Sequence, residues 1–235
     1  HHVALYDKKT KEQQQYNFVT ATDTPLHWQT IEWVYMQDGE LMTLSVRNER
    51  GGNQSVILTT YDIQNETAEE EILFTSSPLL NIRFNHSAMT YNTNSYASFD
   101  TYHNNSNDTA TTEELYVFNA QTKQLTTVAK PETSTNPAYS IEGNNIVAYN
   151  NSNNTIAITM YDIKAGSWQQ PIAISLHESP LLDSFRVQLE GDKLYVLYQL
   201  KEAVIATIAD LNGNVLYTGK LTVDEVDSEH SLYVH

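Results

Sequence analysis

Apolar residues along this chain fall in short alternating runs, as in Leu41-Met42-Thr43-Leu44-Ser45-Val46 and Val56-Ile57-Leu58-Thr59. A period of two marks β-strands that turn alternate side chains inward. Read this way, the first full unit has strands at Thr30 to Met36, Glu40 to Arg47, Ser55 to Ile63 and Glu70 to Thr75. The next has Ile82 to Thr90, Ser95 to His103, Glu114 to Asn119 and Gln124 to Ala129, with a long polar loop over Asn104 to Thr112. A third runs Ala138 to Ile141, Ile146 to Asn150, Thr155 to Ile163 and Ser167 to Ile174. The fourth runs Phe185 to Leu189, Lys193 to Leu200, Ala203 to Asp210 and Asn214 to Leu221.

Two punctuation marks keep time with these runs. An apolar strand ends in Tyr-Asp or a near equivalent at Tyr6-Asp7, Tyr61-Asp62, Phe118-Asn119, Tyr161-Asp162 and Ala209-Asp210, at intervals of 55, 57, 43 and 48 residues. Out of phase with it come Thr24-Pro25, Ser77-Pro78, Asn136-Pro137 and Ser179-Pro180. Proline has no donor for a ladder, so these phrases predict crossovers between units. Turns at Gln37-Asp38-Gly39, Glu142-Gly143-Asn144 and Glu190-Gly191-Asp192 recur in one slot. Such a period is that of four-stranded propeller blades. The expected fold is all-β, a β-propeller of five four-stranded blades in a single domain over 1–235, with blades starting near 25, 78, 137, 180 and 223. The first blade is expected to be a composite of both termini, Val3 to Val19 pairing with Ser228 to Val234 to close the ring and remove exposed edges. Its structural competitors are a fragment of a larger propeller and an open β-sandwich.

Composition narrows the partners. With 13 basic and 29 acidic side chains the formal charge is −16, a field that repels nucleic acid and anionic membrane surfaces. The 15 Tyr against 6 Phe suit half-buried strand faces whose aromatic tips reach water. No cysteine is present, which excludes a thiolate metal site and a cysteine nucleophile. The richness in Asn, Thr, Ser and Gln with few Lys resembles surface or secreted proteins of Gram-positive bacteria, so an extracytoplasmic location is expected. No apolar stretch is long enough to insert this domain in a membrane. The start at His1-His2 reads as a trimmed edge, and an exported natural protein would have lost its leader or anchor.

The segment Met160 to Trp168 resembles the outer hairpin of a kelch repeat, where a Tyr-Asp strand end is followed by a turn and a Trp. Leu115 to Leu125 is similar to the corresponding hairpin of TolB-type and quinoprotein-like propellers. The Gly-Gly doublet of kelch second strands is missing from every strand, so no family site is carried over. The resemblance implies propeller topology and a binding role.

Local chemistry offers few motifs. The eight histidines form no His-x-His or His-x-x-x-His pair, so no metal or cofactor is expected. Asp210-Leu211-Asn212-Gly213-Asn214 lacks the alternating ligands and distal Glu of a calcium loop. The acidic runs Glu66 to Glu71 and Asp224 to Glu229 read as solvated faces, and no nucleophile elbow, phosphate loop or dinucleotide fingerprint occurs. Crossovers and the loops between second and third strands surround a propeller's channel mouth. This placement selects His27, Trp28, Arg83, Tyr139, Asp183 and Arg186 as ligand-binding candidates, with Arg50, His103, Asn104 and Asn151 on the loops. The rival reading makes Trp28 a blade-packing residue and has Arg83 and Arg186 pair with surplus acids. The function expected is noncatalytic binding of a protein or small polar ligand, a peptide or glycan, by an interaction domain of a bacterial surface or membrane-anchored protein. The alternative is a five-bladed glycan-processing hydrolase with axial carboxylates among Glu32, Glu142, Asp183 and Glu190.

Overall fold

The computed structural model describes residues 2–6, 11, 13–17, 29–86, 95–104, 110–131, 137–152, 154–178, 180, 185–201 and 203–221. All regular structure in them is β. A two-stranded sheet pairs β1 (His2–Tyr6) with β2 (Gln13–Asn17). A four-stranded meander follows, made of β3 (Gln29–Gln37), β4 (Glu40–Asn48), β5 (Gln54–Asp62) and β6 (Thr67–Thr75). The next is β7 (Asn81–Phe84), β8 (Tyr96–Asn104), β9 (Ala110–Asn119) and β10 (Gln124–Val128). The third is β11 (Ala138–Glu142), β12 (Asn145–Ser152) and β13 (Thr155–Asp162), whose outer partner is divided into β14 (Ser167–Trp168) and β15 (Ile172–Ser175). The last is β16 (Phe185–Glu190), β17 (Lys193–Leu200), β18 (Ala203–Asp210) and β19 (Val215–Leu221). Within each meander, sequence order is spatial order and every pairing is antiparallel, which is the construction of a propeller blade.

Three sequence expectations need correction. The strand expected over Ile82 to Thr90 stops at Phe84, where the ladder ends and Asn85 is buried off it; residues 87–94 lie outside the described set. The strand expected over Ser167 to Ile174 is broken because Pro171 has no N–H for the ladder, although Gln169 N still donates to Met160 O at 2.7 Å. Glu142 and Glu190 are the last residues of their strands, opposite Asn145 and Lys193, and not turn residues. The proposed ring closure through Ser228 to Val234 lies outside the described residues, as do residues 105–109 of the expected Asn104 to Thr112 loop, whose ends, Asn104 and Ala110 to Thr112, belong to β8 and β9 instead.

The chain divides into two compact units, one carrying β1–β10 and the other β11–β19. In the first, sheets β3–β6 and β7–β10 share an aromatic core. Trp33 meets Phe118 edge-on at 5.7 Å, and Phe99 stacks on Tyr116 at 4.9 Å, among Leu44, Val56, Leu58, Ile82 and Phe84. In the second, Ile156, Ile158, Ile172 and Ile174 pack against Val187, Leu194, Val196 and Tyr198, so this core is mostly aliphatic. Each fully buried Leu, Ile, Val or Phe side chain contributes about 1.5–3 kcal/mol relative to exposure.

The Tyr-Asp phrase has a local cause. At the end of each third strand an Asx carboxylate or amide oxygen takes the backbone N–H two residues on: Asp62 from Gln64, Asn119 from Gln121, Asp162 from Lys164 and Asp210 from Asn212, at 2.9–3.0 Å. Asp62 and Asp162 also accept from the third residue on. The side chain thus satisfies donors that the turn leaves without ladder partners. The preceding Tyr or Phe is held in the sheet; Tyr161, for example, sits opposite Trp168 with ring centroids 5.3 Å apart.

Turns dictate two glycines, Gly213 in the Asp210 turn and Gly39 in the hairpin between β3 and β4. Gly213 has φ +83°, and a Cβ there would lie 2.7 Å from the Ala173 carbonyl oxygen, which is backbone and cannot yield. Gly39 has φ +84° but open space around it. Gly39→Ala should therefore cost only the left-handed strain, about 1 kcal/mol. Gly213→Ala should cost at least about 2 kcal/mol, and urea unfolding of the two variants side by side checks the order.

Acid should act on these turns as well. Hydrogen bonds from Asn65 hold Asp62 below the ordinary value of 3.8, and those from the Asn214 side chain and backbone do the same for Asp210. A depressed folded pKa gives stability that is present above the ordinary value and lost as pH falls through the folded one. The Asp62→Asn/Asp210→Asn variant keeps an acceptor oxygen without the titration, so its melting temperature should fall less steeply below about pH 4.

Candidate functional site

The crossover between the first two meanders is tied down by hydrogen bonds that the Ser-Pro phrase conceals. Buried Ser76 accepts from Gln54 N at 3.0 Å and donates to the Leu80 carbonyl at 3.0 Å. Gln54 in turn accepts from Ile82 N through its side-chain oxygen at 2.7 Å, which anchors the start of β7. The next residue is Arg83, directly opposite Asp100 on β8.

Asp100 is fully buried. Arg83 donates Nε to its Oδ1 at 3.2 Å and Nη2 to its Oδ2 at 2.8 Å, and Thr112 Oγ1 donates to Oδ2 at 2.9 Å. A carboxylate without water is tolerable only with such a set, and the side-on fork is the geometry guanidinium provides. Arg83 itself stays 41% exposed in its side chain, with its guanidinium carbon 5.1 Å from the centre of the Tyr102 ring. The inward edge is committed and the outward edge faces solvent. Beside it on β8, His103 Nδ1 lies 2.9 Å from the Leu79 carbonyl, which makes Nδ1 the donor, and His103 Nε2 is 3.9 Å from Glu113.

Of the other candidates, Tyr139 on β11 is buried, and Arg186 on β16 is exposed and donates to the carbonyl of Phe185 at 3.0 Å. These two inner strands are neighbours, linked by Ser140 Oγ donating to Val187 O at 3.5 Å. Tyr139 and Arg186 belong to the second compact unit and Arg83 to the first. His27, Trp28 and Asp183 lie outside the described residues. The pairing of Arg83 with an acid matches the rival reading of its sequence, and the exposed edge leaves the binding reading standing. Sequence reasoning missed Asp100 and Thr112. The available signal was an acid in the middle of an otherwise buried run, Ala97-Ser98-Phe99-Asp100-Thr101, which demands a cationic partner across the sheet.

Two other features turn out to be structural. Asp210, the first residue of the calcium-loop look-alike, spends Oδ1 on the amides of Asn212 and Asn214 and Oδ2 on the Asn214 side chain. Tyr116 donates to Glu114 at 2.5 Å, and burial, then that carboxylate, pushes its hydroxyl well above the ordinary range.

No family model matches the chain, and no curated protein does. Solved structures do resemble it. TolB from Acinetobacter baumannii is 14% identical, with 96% of this chain and 50% of TolB covered and a TM-score of 0.43. The Dos1 propeller is 11% identical, covering 97% and 55%, with a TM-score of 0.48. A luciferin-regenerating enzyme is 12% identical, covering 93% and 68%, with a TM-score of 0.48. The chain spans 57% of the propeller domain of the Trilobed protease from Pyrococcus furiosus, at 7% identity and a TM-score of 0.45. Enzymes stand among these, and the propeller assignment here rests on the strand order of the four meanders.

Truncating Arg83 separates pairing from packing. Arg83→Met leaves Asp100 buried without its cation and should cost about 3 kcal/mol, the low end for a broken buried pair because one guanidinium edge is hydrated. Arg83→Met/Asp100→Leu should recover most of that loss in a urea titration.

Proposed function

We infer that this chain is a noncatalytic binding module that engages a carboxylate on a protein or small polar ligand through the outward edge of Arg83. The observation that carries this is the division of labour on one guanidinium: its inner edge is locked by Asp100 and its outer edge is exposed beside Tyr102. A planar fork held rigidly on a strand loses little entropy when it meets a second carboxylate. An exposed arginine next to an aromatic ring is also a composition that recognition surfaces favour. The charge of −16 disfavours polyanions, so the ligand is a peptide or glycan bearing a lone acidic group. We place the domain outside the cytoplasm, on its richness in Asn, Thr, Ser and Gln with few Lys. Protease accessibility on intact source cells tests the location.

For the ligand, titration calorimetry with short peptides carrying a free or amidated C-terminus, and with uronic or neutral oligosaccharides, is the direct assay. Acid-bearing members should bind the natural protein and lose at least about tenfold in affinity for the folded Arg83→Met/Asp100→Leu variant. Equal binding by both proteins, or by amidated and free peptides, removes Arg83 from the site.

A further inference from the structure

Asn212 is the one asparagine of this chain that is followed by glycine. Glycine has no Cβ to shield its backbone nitrogen or restrict its rotation, so an asparagine before it loses its amide in water more readily than elsewhere. Asn212 is exposed and stands in the hairpin turn between β18 and β19. Several bonds hold that turn shut. Asp210 Oδ1 accepts from Asn212 N and Asn214 N at 2.9 Å. Gly213 N donates to the Asp210 carbonyl at 3.0 Å, and Asp210 N donates to the Asn214 carbonyl at 3.0 Å. Gly213 also sits against β15, where a Cβ would lie 2.7 Å from Ala173 O and 3.3 Å from the Ile172 side chain. While the turn is shut, the nitrogen that could attack Asn212 is hydrogen-bonded and fixed in place.

We propose that Asn212 is a modification site, deamidated by water and gated by local opening of the Asp210 turn. In the open turn the Gly213 nitrogen gives its proton to hydroxide and bonds to Asn212 Cγ. The bond from Cγ to the side-chain nitrogen then breaks, and that nitrogen takes a proton from water and leaves as ammonia. One water opens the resulting cyclic imide. Cleavage at the side-chain carbonyl gives aspartate, and cleavage at the backbone carbonyl gives isoaspartate, whose main chain runs through Cβ. Water is the only co-reactant, and nothing is oxidised or reduced. The fold dictates the consequence. Isoaspartate lengthens the main chain by one carbon just before Gly213, so Gly213 cannot keep both its bond to the Asp210 carbonyl and its seat against Ala173. Either product also sets a second carboxylate beside that of Asp210, which accepts from the backbone N–H of residue 212. Modification thus loosens the turn that gated it and frees this end of the last meander from β15.

Peptide mapping by mass spectrometry of the full chain, incubated at neutral and at mildly alkaline pH, tests this. Conversion is expected at Asn212 ahead of the chain's other asparagines, faster at the alkaline pH, with isoaspartate among the products. A peptide of residues 207–218 has no fold to hold the turn and should react at least about tenfold faster than the chain. Asp210→Ala removes the acceptor of two turn amides and should speed conversion in the chain about five- to thirtyfold. Asp62→Ala loosens the corresponding turn of the first meander and should leave Asn212 at its natural rate, which separates local opening from general unfolding. The proposal is overturned if other asparagines convert first, if chain and peptide react equally fast, or if Asp210→Ala reacts no faster than the natural chain. Aspartate without isoaspartate also overturns it, because water would then have attacked the side chain directly and the Gly213 nitrogen would have played no part.

Discussion

Three of the four meanders depend on middle strands that are buried on both faces, whereas β17 and β18 of the last alternate buried and half-buried residues. Leu41 to Ser45 on β4 and Ser55 to Thr59 on β5 are buried without a break, so alternation of side chains cannot be split into a dry face and a wet one. A four-stranded sheet of this kind cannot stand alone in water and must cover each face with another layer. The shared cores meet that demand in two ways, with rings between the first two meanders and branched aliphatics between the last two. Aromatic packing fixes ring geometry, as the tilted cluster of Phe74, Phe84, Phe99 and Tyr116 shows, whereas aliphatic packing works through volume alone.

Burial on both faces transfers the difficulty to polar groups and to edges. At strand ends the solution is local: an Asx side chain closes the turn within two or three residues, which lets the same hairpin be written in four sequences that share little else. At Asp100 the solution is not local. Its carboxylate needs β7 beside it, and β7 is placed by Gln54 and Ser76 from the preceding meander. The guanidinium that serves Asp100 is thereby fixed in space with one edge left over, so a requirement of the core produces the group that can recognise a ligand.

Much of this was legible in the chain. Period-two alternation located the strands, because a buried sheet face tolerates little else. The Tyr-Asp phrase marked the outer hairpins, because the turn needs an acceptor at that one place. The failures share a cause. The strand over Ser167 to Ile174 was read through Pro171, although a missing N–H matters more to a ladder than hydrophobicity does. Glu142 and Glu190 were assigned to turns because charge suggested solvent, whereas strand ends carry charge readily. Arg83 was picked out by its position near a crossover, and Asp100 was overlooked because the two residues stand 17 apart in sequence, a spacing that says nothing about pairing.

The sequence by itself determined the rhythm of the strands, the turn chemistry and the acidic field, since each follows from residues within a few positions of one another or from a sum over all of them. Only the tertiary structure decided that Arg83 faces Asp100 and that Gln54 anchors the strand that carries Arg83. Those facts depend on which distant residues share a register. Register is set by the simultaneous burial of whole faces, a condition that no single segment carries.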